Sequence, residues 1–151
     1  MQLYDKDTDD LMKTLEKAGI AEARDYIQHN FQAGVPSFSG YMDELLAQKG
    51  LKRQDVLIKA DLSQKYGYKL LSGEAHTTDR DKILRICFSM EMTLKETQRA
   101  LKLYGMNELY PKDKRDVLLI VALGQKIHDI DRVNELLKGE GMPPLYDVDR
   151  E

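Results

Sequence analysis

The amino-acid sequence predicts an all-α fold, and three observations carry that expectation. Apolar residues recur at helical spacing along most of the chain, strand-type alternation is scarce, and glycine and proline fall mainly between the periodic segments. The chain has 151 residues, 42% hydrophobic and 32% charged, enough for a sizeable core under a well-solvated surface. Its longest apolar run, Val117 to Leu123, is far short of the roughly 20 residues that span a bilayer, so no membrane partner is expected. The N-terminal MQLYDKDTDD is acidic and lacks the basic-then-apolar order of an export signal. The single cysteine, Cys87, excludes an intrachain disulfide and suits a reducing compartment, so a cytoplasmic location is expected. Its neighbours Ile83, Ile86 and Met90 make a buried, inert thiol the expected role.

The elements follow in order. Thr8 is a candidate N-cap for a helix over 8–18, with Asp9 and Asp10 suited to its dipole and Leu11, Leu15 and Ala18 on one face. Gly19 stops it, and a second short helix covers about 21–30. Residues 32–40, QAGVPSFSG, read as a loop. Ser39 or Gly40 then opens a helix that ends at Gly50. Two short helices follow, over 53–60 and 63–71, the second with Ser63 as N-cap and Gly73 as its stop. Further helices are expected at 79–90, 93–104, 112–125 and 129–138.

The C-terminal half repeats. Arg80-Asp81 matches Arg115-Asp116, Leu84 matches Leu119 and Phe88 matches Leu123. After a one-residue slip, Leu94 matches Ile130, Leu101 matches Leu137, Gly105-Met106 matches Gly141-Met142, and Leu109-Tyr110 matches Leu145-Tyr146. Each unit reads as a helical hairpin whose terminal Leu-Tyr folds back on it. Two copies are too few for a solenoid, so one hairpin is expected to pack on the other.

Charge is unevenly distributed. The net charge is −3, yet residues 49–85 hold nine Lys/Arg against five Asp/Glu, whereas residues 1–48 hold four against nine. A basic segment in an acidic chain suits a phosphate-contacting face. Within that segment, Leu62, Tyr66 and Leu70 repeat at i, i+4, i+8 as an inner stripe. Gln64, Lys65, Tyr68, Lys69 and Ser72 then point elsewhere, with donors suited to base edges and phosphates. In the preceding helix Val56, Leu57 and Ala60 face inward behind Leu51, leaving Arg53, Gln54 and Lys59 outward.

This order of features, from Tyr41 to Thr97, resembles the helix-turn-helix of the Cro/C1-type (XRE) DNA-binding family. The matching residues are Gly50-Leu51 at the end of the first helix and Lys52-Arg53 opening the bracing helix. Ala60 stands in its last turn, Ser63 and Gly73 bound the recognition helix, and the next helix starts near Asp79. Two positions depart: Arg53 stands where the family usually has glutamine, and Gly67 where it has a buried aliphatic residue. A Tyr66 or Tyr68 ring is expected to fill the space beside Gly67. The YGY at 66–68, TLKETQ at 93–98 and VNELL at 133–137 are similar to a group of bacterial helix-turn-helix proteins of unassigned role.

The resemblance implies a lambda-repressor-like helix-turn-helix domain at 39–97. An acidic helical arm at 1–38 precedes it, and a helical-hairpin extension at 98–151 forms one compact unit with it. It implies a transcription regulator that binds double-stranded DNA, and a homodimer. Candidate contacts are Arg53, Gln54, Lys59, Ser63, Gln64, Lys65, Tyr68, Lys69 and Ser72, with Arg80 reaching a phosphate from the following helix. Each has a plainer alternative: Lys65 and Lys69 as a solvated face, Tyr68 as core, Arg80 paired with Asp79 or Asp81. A rival reading is a protein-interaction module, inhibitor or antitoxin-like, that meets its partner through the acidic arm. His29, His76 and His128 are scattered, no glycine-rich phosphate loop is present, and no base pairs with Cys87, so no enzyme, metal or cofactor is expected.

Overall fold

The computed structural model describes residues 8–31 and 37–145, and the described residues are all helical or irregular. In chain order the helices are α1 (Thr8–Glu16), α2 (Ile20–Phe31), α3 (Phe38–Lys49), α4 (Arg53–Lys59), α5 (Gln64–Ser72), α6 (Arg80–Ser89), α7 (Leu94–Tyr104), α8 (Lys114–Gly124) and α9 (Ile130–Gly139). Contacts divide the chain into two units, at Met1–Ser37 and Phe38–Glu151.

The first unit holds α1 and α2. Thr8 is itself helical, and its side chain lies outside the described residues. The unit is too small to cover its own apolar side chains: Met12, Ile20 and Ile27 are all more than half exposed.

The second unit opens at Phe38, one or two residues before the expected start of its first helix. The reason is packing, since the Phe38 ring is buried edge-on against Tyr104 at 4.7 Å. Residues 32–36 of the expected loop lie outside the described residues. Helix α4 starts after Lys52 without a side-chain cap, whereas at the starts of α5 to α9 capping side chains set the boundary. Ser63, Asp79, Thr93, Asp113 and Asp129 each accept a backbone N–H of the helix they precede. Thr93 adds a full capping box with Glu96. Asp113 explains why α8 begins two residues later than expected. The expected domain edge at Thr97 falls inside α7, with no break in the fold there.

Helices α4 to α9 form three consecutive hairpins, one more than the sequence repeat revealed. Their inner turns share one geometry. Asp61, Glu91 and Lys126 occupy the same place with φ of 57°, 56° and 59°. At each turn the same pair of backbone bonds closes the helix: Asp61 N–H to Ile58 O and Leu62 N–H to Leu57 O in the first hairpin. Glu91 and Met92 repeat this on Phe88 and Cys87, and Lys126 and Ile127 on Leu123 and Ala122. The one-residue slip of the repeat is His128, inserted between Ile127 and the cap Asp129, where Met92 runs directly into Thr93.

The second and third hairpins pack crosswise, α6 on α9 and α7 on α8. Two ion pairs tie them. Arg80 grips Asp116 through both terminal guanidinium nitrogens, at 2.5 and 3.1 Å, and Arg115 grips Asp81 at 2.8 and 2.9 Å. The arginines also reach equivalent carbonyls, Asn107 and Glu108 for Arg80, Pro143 and Pro144 for Arg115. The expected fold-back of each Leu-Tyr pair holds for both leucines but not for the Tyr110 side chain, which is 55% exposed, and Tyr146 lies outside the described residues. Leu109 and Leu145 are buried, their N–H groups donating to Gln98 and Asn134. Arg80 was expected at a phosphate or paired with Asp79 or Asp81; its partner is instead Asp116, because the repeat brings the N-terminal ends of α6 and α8 together.

The first hairpin sits on α6. Val56, Leu57 and Ala60 are buried as expected, and the buried Ser89 hydroxyl donates to Val56 O. No tyrosine ring fills the space beside Gly67. The Leu57 side chain does: a Cβ added there would stand 2.8 Å from Cδ1, 3.0 Å from Cγ and closer still to Cδ2. Glycine here lets α5 approach α4.

Gly67→Ala should lower the unfolding temperature, because overpacking at about 1–3 kcal/mol exceeds the gain in helix propensity of about 1 kcal/mol. Added to Leu57→Ala, the same change should cost nothing further; urea titration of the four variants measures the coupling. Arg80→Gln strands the Asp116 carboxylate, only 4% exposed, and should cost about 3 kcal/mol or more. Arg115→Gln leaves Asp81 at 24% exposure, able to rehydrate, and should cost about 1 kcal/mol; equal losses would show that burial does not set the difference. Burial raises the Cys87 thiol to about 12. A disulfide reagent at pH 8 should therefore label it only as fast as the protein unfolds, with a rate that stops rising with reagent concentration.

Candidate functional site

The expected contact residues divide into three groups. The first lies on α5. Gln64, Lys65 and Tyr68 are exposed and Lys69 is half-exposed, all on one side of the helix. The opposite side buries Gly67, Leu70 and Leu71, with Leu62 buried just before it. Tyr66, expected in the inner stripe, is half-buried at its edge, and the Lys82 ammonium stands 5.1 Å over its ring. Tyr68 is 38% exposed, on the outer face and not in the core. Between Asp61 and Glu74 the chain carries no carboxylate, so the outer face of α5 is positive without a neutralising partner on its own helix.

The second group is occupied by local structure. Ser63 Oγ accepts the Tyr66 N–H at 3.2 Å as the N-cap. Ser72 Oγ donates to Lys69 O and accepts from Glu74 N–H, closing the end of the helix. Both are exposed, and each shapes a terminus of α5 as well as facing solvent.

The third group lies apart from α5. Gln54 is exposed at the start of α4. Arg53 pairs with Asp43 of α3 at 2.5 Å, with both side chains nearly half exposed, so water competes with that pair. Lys59 lines a cleft where the three inner turns meet, beside Asp61, Glu91, His128, Asp129 and Asp131. That is an acidic setting for a residue expected to hold a phosphate. Burial outweighs the pull of Glu91 on His128 and lowers its pKa, which favours the neutral ring in this cleft. Arg80 is committed to Asp116.

Sequence reasoning missed Lys82. Its position directly after the Arg80-Asp81 pair gave no sign that the fold brings α6 alongside Tyr66. It adds a cation at the edge of the α5 face. A second concavity, about 960 Å³, lies at the far end of the hairpins, lined in part by His76, Thr77, Asn107, Tyr110 and Asp116. His76 stacks flat on Tyr104 at 4.6 Å there, and the Tyr104 hydroxyl accepts the Thr77 N–H. Among the described residues no cluster of His, Cys, Asp or Glu could hold a metal ion, and no helix is long and apolar enough to cross a membrane.

Comparison with models of protein families, with curated proteins and with solved structures gives no match. Function is therefore inferred from the surface chemistry of the helices themselves.

Proposed function

We propose that the protein is a transcription regulator of the Cro/C1 helix-turn-helix type that binds duplex DNA, with α4 bracing and α5 entering the major groove. The observation that carries this reading is the outer face of α5. It sets out Gln64, Lys65, Tyr68 and Lys69 together, free of carboxylates, on a helix held by a short turn to a packed partner. Glutamine pairs with adenine edges, lysine with guanine O6/N7 or phosphate, and tyrosine with phosphate. The equivalent helix of the third hairpin has no such face: α9 interleaves Asp131 and Glu135 with Arg132 and Lys138. Lys82 extends the positive edge, and Arg53 joins it by exchanging Asp43 for a phosphate.

A second reading, an interaction module for a protein partner, draws on two features. The acidic cleft at the inner turns repels a phosphate backbone, and the first unit exposes Met12, Ile20 and Ile27 beside Asp9, Asp10 and Glu22.

Selection from a random duplex library at two salt concentrations separates them. A DNA reader should enrich a motif. Lys65→Ala and Lys69→Ala should each weaken binding and reduce the slope of log affinity against log salt by about one. A library without enrichment, together with capture of a protein partner that Ile20→Asp abolishes and Lys69→Ala leaves intact, would establish the second reading instead.

A further inference from the structure

Arg80 and Arg115 hold the returning chains of the second and third hairpins at equivalent places, but the chemistry around them differs. The repeat carries His76, Asn107 and Glu108 onto Pro111, Pro143 and Pro144. The Pro143 and Pro144 carbonyls stand 2.9 and 3.1 Å from Arg115, whereas those of Asn107 and Glu108 both stand 3.5 Å from Arg80. Prolines therefore suffice to build this return, and tightly. The looser copy carries the polar side chains and opens on the concavity of about 960 Å³. That volume is the size of a small-molecule site. His76 is exposed there and stacks at 3° on Tyr104. Tyr104 is itself pinned by the edge-on Phe38 ring and by the Thr77 N–H that donates to its hydroxyl. One face of the imidazole is thus taken, and the other is a fixed, flat platform on the cavity wall.

We propose that this concavity binds an unphosphorylated purine of the guanine type, as free base or nucleoside. The site goes beyond the role of α5 and does not depend on what α5 binds. The purine ring stacks on His76 and extends the pile of Tyr104 and His76 by one ring. The polar groups of the wall match the edges of guanine. Arg80 spends its terminal nitrogens on Asp116, and its Nε–H has no partner among the described residues, so it suits O6 or N7. Asp113 accepts the Asp116 N–H through Oδ1, which leaves Oδ2 for the ring N–H or the amino group. Exposed Asn107 adds an amide donor and acceptor. Charge excludes a phosphate. Glu108, Asp113 and Asp116 line the cavity, with Arg80 the only lysine or arginine among its lining residues. Lys102, 3.5 Å from Glu108, offsets that carboxylate in part, while Lys112 and Lys114 flank Asp113 in sequence without lining the cavity. A phosphate would still meet a net negative wall.

Calorimetric titration of the full chain with guanosine, adenosine and guanosine monophosphate tests this. Guanosine should bind with a dissociation constant of about 100 µM or below, and the other two at least about tenfold more weakly. His76→Ala removes the platform and should weaken guanosine about tenfold. Asp113→Asn should weaken it about as much while keeping the α8 cap, since asparagine caps a helix as well as aspartate does. Asn107→Pro with Glu108→Pro copies the third hairpin and should abolish binding. Circular dichroism shows whether each variant folds; if the proline pair does not, the two single changes decide. A wild type that binds no guanosine at about 1 mM overturns the site. So does binding that His76→Ala and Asp113→Asn both leave intact. Adenosine bound as tightly as guanosine overturns the match to guanine, and a monophosphate bound more tightly than guanosine overturns the exclusion of phosphate.

Discussion

The reciprocal grip of Arg80 on Asp116 and of Arg115 on Asp81 is the constraint on which the rest of this fold depends. Hairpins stacked by translation would pair the first arginine with the second aspartate and the second arginine with a third. Here the pairing closes on itself, as across a two-fold axis. Both guanidinium groups also hold the carbonyls that follow the glycine turns, and Asp116 accepts the Tyr110 N–H as well. One motif, Arg-Asp at the start of a helix, therefore joins two hairpins and anchors the returning chain of each. Their unequal burial means that the Arg80 pair carries the larger penalty if broken.

This closure makes α6 the centre of the second unit. Its side chains from Ile83 to Met90 are all buried, with α7, α9 and α4 packed around it. The first hairpin joins through α4, and the absence of a side chain at Gly67 lets α5 come down on Leu57. Because α5 buries Leu70 and Leu71 on that side, its lysines and tyrosine are turned outward together. The candidate surface is thus a consequence of how the first hairpin is seated.

The three inner turns have an electrostatic effect. Each places a non-glycine residue in the left-handed region, at a cost of about 1–2 kcal/mol that the two turn hydrogen bonds offset. Since the turns converge, Asp61 and Glu91 join Asp129 and Asp131 at one cleft, and Lys59 is drawn into their company. Positive charge is left on the outer face of α5 and along Lys82. The basic segment of the sequence is real, but folding sorts its members, keeping Lys65 and Lys69 on a common face and committing Arg80 elsewhere.

Local chemistry by itself determined the helices of this protein. Periodicity, capping residues such as Ser63 and Thr93, and glycine stops at Gly73 and Gly105 act over three or four residues, and each helix lies close to where they set it. The repeat was also legible, because equal spacing of Arg-Asp, Gly-Met and Leu-Tyr is a one-dimensional pattern. Tertiary structure alone decided the third copy of the turn, since Asp61, Glu91 and Lys126 share a backbone angle and not a side chain. It decided that Leu57 and not a tyrosine fills the space at Gly67, that Lys82 meets Tyr66, and that Arg80 belongs to Asp116. These partners lie 10 to 36 residues apart, and which of several nearby charges or rings a side chain meets depends on how the helices cross.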